Sequence, residues 1–169
     1  GGLSYPLTGS DGDGYKFAKS LGHHITELGP SLVPLVCEGD LCSRLQGLSL
    51  KNVSLKIENR NTNKIVYDDF GEMLFTHFGL SGPMVLSASA HIPDIRPGLY
   101  SACIDLKPAL DESKLDTRIL SDFKKYSNRD FANALDDLLP QKMIKPIIEL
   151  SGIDPQKKVN LITREERRF

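Results

Sequence analysis

The chain has 169 residues, of which 40% are hydrophobic and 25% charged, and its net charge is −1 at neutral pH. This composition suits a globular protein with a hydrophobic core, built as one domain or two small subdomains. Charge is nearly balanced in both parts of the chain, with 8 Lys/Arg against 11 Asp/Glu in residues 1–106 and 13 against 11 in residues 107–169. Nucleic acid requires a basic surface, so the sequence predicts no nucleic-acid partner.

Membrane and secretory signals are also missing from the sequence, which predicts no membrane association. The three cysteines are an odd number, which indicates reduced thiols and a cytoplasmic location. The chain begins with Gly1 and Gly2, without Met, and Thr163 and Glu166 have the spacing of a capping box close to the last residue. We therefore expect this chain to be a piece of a longer protein, with its last helix cut short.

Residues 1–14 have the composition of a loop with several glycines. Tyr15, Ala18 and Leu21 then follow at helical spacing, and Gly22 predicts the end of that helix. The loop lacks the Lys of a phosphate-binding Walker motif, and it carries two Asp residues that would repel phosphate.

The middle of the chain has the period of two that is typical of β-strands. Five segments are predicted as strands, with a hairpin turn at Asn59–Asn63: Pro30–Val36, Leu48–Ile57, Lys64–Tyr67, Gly71–His77 and Gly98–Leu106. They predict a small antiparallel or mixed sheet that resembles a barrel.

The segment from Gly71 to Pro83 connects this sheet to a short apolar helix. The alternation puts His77 on the same face as Met73 and Phe75. Two glycines follow it, and Ser81 is predicted as the N-cap of a helix whose first turn holds Pro83. Such a turn leaves backbone N–H groups available to an anionic or carbonyl-bearing ligand.

Beyond Pro108 the hydrophobic period becomes helical. Three apolar stripes predict three amphipathic helices. Pro146 is expected to kink or restart the third helix. The stripes are Leu115, Ile119, Leu120 and Phe123; then Phe131, Leu135, Leu138 and Leu139; then Met143, Ile144, Ile147 and Ile148. Short helices with brief connections predict a small bundle.

His77 is the candidate catalytic residue, since it lies in a patterned element next to the glycines. An imidazole there would transfer a proton or orient a substrate carbonyl. The alternative is a structural histidine that hydrogen-bonds to a neighbouring loop. A zinc site made by His23, His24, Cys37 and Cys42 is not favoured, because the two cysteines do not have the usual ligand spacing, and no metal is predicted.

Two segments resemble one known family. Residues 1–15, followed by Ala18, Gly22 and His23, are similar to the Ala-Thr-Gly-Gly turn, loop and helix of bacterial FAD-dependent oxidoreductases of the BaiN type, which include aminoacetone oxidase-like proteins. Residues 75–83, Phe-Thr-His-Phe-Gly-Leu-Ser-Gly-Pro, resemble the second signature of that family.

The resemblance implies that this chain is the domain inserted into a two-part FAD-binding domain, with the dinucleotide fingerprint itself outside the chain. It also implies an α+β fold with a six-stranded barrel-like sheet followed by helices. The implied divisions are residues 1–24, flanking the FAD-binding domain; residues 25–108, the barrel-like part; and residues 109–169, the helical part.

The same resemblance implies the functional residues. On the FAD side they are Gly1, Gly2, Pro6, Thr8 and Ser10. On the substrate side they are Thr76, Gly79, Ser81 and Gly82, with His77 as proton donor or substrate orienter. The implied activity is that of an FAD-dependent oxidoreductase with NAD(P)H as electron donor, in which the insert covers the flavin, excludes water and shapes the pocket for a small-molecule substrate. The insert alone is expected to be inactive and to bind no FAD firmly.

Two other functions stay open. The helical part would serve as a protein-docking or dimerisation surface if a stripe such as Met143, Ile144 and Ile148 were exposed. A helical nucleic-acid module in residues 111–169 is weakened by the balanced charge there. The oligomeric state is not predicted.

Overall fold

The computed structural model describes residues 2–4 and 6–168, in two compact units, Gly1–Pro30 and Ser31–Phe169. The first unit has a 3-10 turn at Pro6–Thr8 and helix α1 at Asp13–Ser20. As predicted, Gly22 stops α1, and it lies just past the C-cap Leu21 with a φ of +87°. The N–H groups of Gly22 and His23 donate to the carbonyls of Lys19 and Ala18. This pair of bonds is a Schellman motif, which satisfies the last carbonyls of a helix.

The second unit contains a five-stranded antiparallel sheet in the order β1-β4-β3-β2-β5. The strands are β1 (Leu35–Val36), β2 (Ser49–Asn59), β3 (Lys64–Phe75), β4 (Gly79–Ser81) and β5 (Tyr100–Asp105). The α+β class is confirmed, but the six expected strands are not found in the described part of the chain. The predicted strands at 64–67 and 71–77 are one continuous strand, and the predicted turn at 79–81 forms a strand of its own.

The hairpin between β2 and β3 follows the prediction. The side-chain carbonyl oxygen of Asn59 accepts hydrogen bonds from the N–H groups of Asn61 (3.0 Å) and Thr62 (3.2 Å). Asn63 has a φ of +52°, in the left-handed region that Asn tolerates better than most residues. The alternation of β2 is seen in its burial, because Val53, Leu55 and Ile57 share one face and are all buried.

Two short helices, α2 (Leu41–Arg44) and α3 (Pro83–Ser89), belong to the same unit. Together with the sheet they enclose the first hydrophobic cluster, which includes Leu45, Leu55, Met73, Phe75 and Val85. Burial of these side chains is the main source of stability for the sheet.

The helical part contains α4 (Glu112–Lys125), α5 (Gln141–Ser151) and three 3-10 turns, Phe131–Asn133, Val159–Leu161 and Glu166–Arg168. It surrounds a second hydrophobic cluster, which includes Phe123, Phe131, Leu135, Ile148 and Val159. Asp111 is the N-cap of α4, since its Oδ1 accepts from the N–H of Lys114 at 2.8 Å. Among its described residues there are two α-helices, where a bundle of three or four short helices was expected.

The second predicted helix, near residues 131–139, is wrong. Its apolar spacing matches a helix, but the N–H of Phe131 donates to the carbonyl of Lys157 and that of Ala132 to the carbonyl of Pro155. An isolated bridge between Asp130 and Lys158 continues this contact. In place of a continuous helix, the segment forms a 3-10 turn at Phe131–Asn133 and a second turn in which the N–H groups of Leu138 and Leu139 donate to the carbonyl of Leu135.

Helix α5 runs through Pro146 instead of restarting there. Pro146 removes one backbone donor, but the helix is held at both cores: Met143 belongs to the first cluster, and Ile144 and Ile148 belong to the second. These three side chains are only 6–7% exposed. The exposed stripe that a docking surface on α5 would require is therefore absent at these residues.

The predicted capping box at the end of the chain is confirmed. The N–H of Thr163 donates to Glu166 Oε2 at 2.7 Å, and the N–H of Glu166 donates to Thr163 Oγ1 at 3.3 Å. Within the described residues, no helix combines the length and the apolar character that crossing a bilayer would need.

Candidate functional site

The candidate site is the turn that joins β3 to β4. The N–H of Thr76 donates to the carbonyl of Gly79 at 2.8 Å. The Thr76 hydroxyl also bonds this residue twice, donating to its carbonyl at 3.0 Å and accepting from its N–H at 3.1 Å. Thr76 therefore fixes both ends of the turn, so that the residues between are presented on a rigid base.

His77 lies at the tip of this turn and is exposed. Strand β3 ends at Phe75, so the prediction that His77 continues the buried face of Met73 and Phe75 is wrong. Its ring packs edge-on against Phe78, with centroids 4.9 Å apart and an interplanar angle of 88°. The described residues supply no hydrogen-bond partner for the imidazole. The alternative was a structural histidine that hydrogen-bonds to a neighbouring loop, and within the described residues no such bond is found. Both ring nitrogens are therefore open to a ligand.

Gly79 is required by the close approach of β1. A Cβ at this position would overlap the carbonyl oxygen of Leu35 and stand 2.8 Å from the backbone nitrogen of Cys37. The N–H of Cys37 in turn donates to the carbonyl of Phe78 at 3.0 Å. The backbone of β1 therefore supports the turn from one side and leaves no room for a side chain at residue 79.

Gly82 has a backbone conformation that only glycine adopts freely, with a φ of 96° and a ψ of 168°. It is the N-cap residue of α3, without a side-chain cap. The expectation that Ser81 caps this helix is wrong, because Ser81 is still in β4, paired with Leu74. Pro83 is at the start of α3, as predicted. The predicted substrate-side residues Thr76, Gly79, Ser81 and Gly82 thus lie on one continuous segment around His77.

The segment before β1 is bound to α3. Ser89 is fully buried, and its Oγ accepts from the N–H of Val33 at 2.9 Å while donating to the carbonyl of Leu86 at 2.8 Å. This contact holds residues 31–34 without strand pairing, which accounts for the shortness of β1 against the predicted Pro30–Val36 strand.

The predicted FAD-side residues lie in the other unit. Gly2, Pro6 and Thr8 are exposed and Ser10 is half-buried, while Gly1 lies outside the described residues. The carbonyl of Gly2 accepts from the N–H of Gly12 at 3.1 Å, and that of Pro6 accepts from the N–H of Gly9 at 3.0 Å. These bonds fold the loop before α1.

The thiols do not form a metal centre with other residues. In residues 2–4 and 6–168, no three His, Cys, Asp or Glu side chains are grouped so that they could hold a metal ion. Burial, together with the neighbouring Cys37, raises the pKa of the Cys42 thiol to about 12. A neutral, buried thiol is a poor nucleophile and a poor metal ligand.

A cavity that sequence reasoning missed lies between the end of β5 and the helical part. Its volume is about 640 Å³, and its walls are mainly apolar, with Leu115, Ile119, Phe123, Leu135, Leu138 and Ile147. The apolar stripe of α4 predicts contact with a core. The stripe alone does not reveal that Leu115 and Ile119 stay only half-buried, because their burial depends on how closely β5 approaches α4.

Comparison with known proteins gives the family. The model of the HI0933-like protein barrel and H2TH domain matches residues 29–168. The 3-dehydro-bile acid delta(4,6)-reductase of Clostridium scindens is 28% identical over 158 residues, which cover 90% of this chain and 37% of the relative. The ribosomal RNA dihydrouridine synthase of Escherichia coli is 30% identical over 167 residues, 99% of this chain and 39% of the relative.

The chain thus spans less than two fifths of the length of these two relatives. The matched family domain covers both the sheet and the helical part of the structure. The resemblance to the insert of a BaiN-type flavoprotein agrees with both findings, and the chain belongs to the HI0933-like family as the barrel and H2TH insert domain of such a flavoprotein.

Proposed function

We propose that this chain is the insert domain of an FAD-dependent oxidoreductase, that it covers the flavin and shapes the substrate pocket, and that NAD(P)H is the electron donor. The observation that carries the proposal is the rigid turn at residues 76–79 with an exposed imidazole at its tip. Membership of the HI0933-like family supports it. A cytoplasmic location and a small-molecule substrate belong to the same proposal.

The names of the two relatives describe one kind of reaction. A 3-dehydro acid delta(4,6)-reductase saturates carbon–carbon double bonds in a compound with a carbonyl, and a dihydrouridine synthase saturates the ring double bond of uridine, which is also conjugated to a carbonyl. Each reaction adds a hydride to one carbon and a proton to its neighbour. We therefore propose that the whole protein reduces a double bond conjugated to a carbonyl.

FAD, when held by the whole protein, would supply the hydride chemistry. The role proposed for this chain is to supply the proton that the reaction also needs. Hydride addition at the carbon remote from the carbonyl places negative charge on the carbonyl oxygen, and a proton must then reach the carbon beside it. The His77 imidazole is suited to donate that proton or to hydrogen-bond the carbonyl oxygen, since imidazole exchanges protons near neutral pH.

The loop at residues 1–14 fits the neutral parts of FAD better than its pyrophosphate. It contains no Lys or Arg, and its only charged side chains are Asp11 and Asp13. Phosphate sites use cations or the N–H groups of a helix N-terminus, and an Asp stands at the first position of α1. Gly1, Gly2, Pro6, Thr8 and Ser10 are accordingly proposed as neighbours of the flavin or adenine end, with the pyrophosphate held outside this chain.

Exposed apolar side chains support the covering role. Leu7 is completely exposed, Leu3 is 57% exposed and Phe17 is 65% exposed in the first unit; Phe78 is 37% exposed in the second. Apolar surface of this kind commonly marks contact with another part of a protein or with a ligand. An insert that excludes water from a flavin needs such surfaces.

RNA is the second candidate substrate, favoured by the match over 99% of the chain to a relative whose name specifies ribosomal RNA. Against it, about half of the cations of the helical part are already paired with acids, which reduces the positive charge that phosphates could contact. The pairs are Lys125–Asp137, Lys157–Glu166, Lys158–Asp130, Arg118–Asp122, Arg167–Asp116 and Arg168–Glu112.

The test uses the whole protein. It should be purified with its flavin spectrum recorded, reduced anaerobically with NADH or NADPH, and offered either a panel of small cyclic enones or unmodified ribosomal RNA. The proposal expects FAD absorbance, reduction by a nicotinamide and reoxidation by a small enone. Reoxidation by RNA alone would transfer the function to the second candidate, and a colourless protein would contradict both.

A further inference from the structure

The cavity beside β5 is separate from the candidate site. It lies within the unit Ser31–Phe169, and within the described residues its lining includes none of positions 76–82. A volume of about 640 Å³ is in the range of pockets that hold small ligands, which are typically apolar with a few polar groups. Its walls come from the second apolar cluster and from the β2 and β5 side of the sheet.

Most charges at the edge of this cavity are already engaged. Glu166 accepts from Lys157 Nζ at 2.6 Å, and Arg167 donates to Asp116 Oδ1 at 2.7 Å. Lys56 pairs with Asp68 at 3.6 Å, and Asp105 accepts from the N–H of Lys107 at 2.9 Å. These contacts satisfy both acids of the lining and two of its three cations.

Lys107 is the remaining cation. It is half-buried, and the described residues provide no hydrogen-bond or ion-pair partner for its ammonium group. Its backbone is fixed, since its N–H donates to Asp105 and its carbonyl accepts from Leu110 at 2.8 Å. An unpaired cation beside an apolar cavity suits an anion with an apolar body, and the fixed backbone keeps the base of the side chain at the cavity edge.

We propose that this cavity binds an amphipathic monocarboxylate with a single acyl chain, whose carboxylate contacts Lys107 and whose chain lies against the α4 side chains Leu115 and Ile119. The charge of Lys107 favours a carboxylate, because a half-buried ammonium group is stabilised by an anionic partner. The apolar walls select the chain, because they lose contact with water when it binds. The site does not depend on the flavin or on the proposed reaction.

The experiment measures binding of dodecanoate to the whole protein by titration calorimetry, below the concentration at which dodecanoate forms micelles. We expect saturable binding at one site. Lys107→Gln should weaken dodecanoate binding about tenfold, the usual worth of a charged hydrogen bond. Binding of the uncharged dodecanol should be unchanged in this variant. Ile119→Trp, which narrows the cavity on the α4 side where the acyl chain would lie, should weaken both ligands.

The matched control is Lys64→Gln, an exposed lysine on β3 that does not line the cavity, and it should leave both affinities unchanged. Absence of saturable binding would overturn the proposal. Equal dodecanoate affinity in the wild type and in Lys107→Gln would overturn it too, as would an equal loss of dodecanoate and dodecanol.

Discussion

The carbonyl oxygen of Leu35 occupies the place that a side chain at Gly79 would need. Gly79 pairs with Val36 in the sheet, and a Cβ there would also press on the backbone nitrogen of Cys37. Both obstacles are backbone atoms, which cannot move aside as the end of a flexible side chain can. The exposure of His77 at the tip of the turn therefore depends on a close contact between two strands.

Gly79→Ala should destabilise the chain by about 2–4 kcal/mol, because β1 must separate from β4 to admit the methyl group. Urea unfolding followed by circular dichroism measures the change. Gly29→Ala is the control, since the space around that glycine is open, and it should change stability by less than about 0.5 kcal/mol. A Gly79→Ala variant as stable as the wild type would show that β1 is not packed against this turn.

Gly82→Ala tests the entry into α3 separately. The φ of +96° is strained for any residue with a side chain, and the added Cβ would stand 3.0 Å from Met73 Cα. We expect a loss of about 1–3 kcal/mol from backbone strain, with a further loss from the contact. Gly152→Ala is an informative comparison: it has a φ of +66° and a ψ of 5°, in the milder left-handed region, and an open surround, so it should cost less. A loss for Gly82→Ala no larger than that for Gly152→Ala would contradict the strain and the contact described at Gly82.

Local patterns predicted the elements whose partners are near in sequence. The hairpin at Asn59–Asn63, the end of α1 at Gly22 and the Thr163–Glu166 capping box each depend on bonds within a few residues. The failures depend on distant partners. The segment from Phe131 gives its donors to residues 155 and 157, and nothing in its own spacing reveals this.

The candidate site shows the same division. The sequence identified residues 79–82 as a glycine-rich turn after a strand, but not why Gly79 is needed, because Leu35 approaches from 44 positions earlier. It also placed His77 on the strand face of Met73 and Phe75, since a period of two has no signal for the residue at which a strand ends. The cavity beside Lys107 was missed because it arises between two elements and not within one.

The pH dependence of stability should reveal the ion pair between Arg167 and Asp116. The hydrogen bond from Arg167, 2.7 Å long, holds the pKa of the Asp116 carboxyl below its ordinary value. A lowered pKa means that the unfolded chain binds the proton more readily, so the pair stabilises the fold above pH of about 4 and loses this effect as the pH falls through the folded pKa.

Arg167→Gln should therefore lower the free energy of unfolding more at pH of about 6 than at pH of about 3. Urea unfolding at both values measures the two differences. Part of the loss should persist in acid, because Arg167 also donates to the carbonyl of Ile162. Arg60→Gln, at an exposed turn residue, should show no such dependence. A difference that is constant with pH would mean that the carboxylate is not engaged.

Thiol reactivity should follow burial. Burial raises the pKa of Cys42 to about 12, whereas Cys103 is exposed. Only the thiolate is alkylated, so iodoacetamide at pH of about 8 should label Cys103 quickly and Cys42 slowly, as read by mass spectrometry of the peptides. In urea the two should react at similar rates. Rapid labelling of Cys42 in the folded protein would contradict the burial described for it.

The central claim is that the turn at residues 76–79 presents an imidazole for proton transfer. The most direct measurement is turnover of the whole protein carrying His77→Ala, with bound FAD quantified and His24→Ala as the control. We expect full FAD content, a loss in turnover of about a hundredfold or more, and partial recovery on addition of free imidazole. Unchanged turnover with FAD retained, or a loss that imidazole does not restore at any pH, would contradict this account.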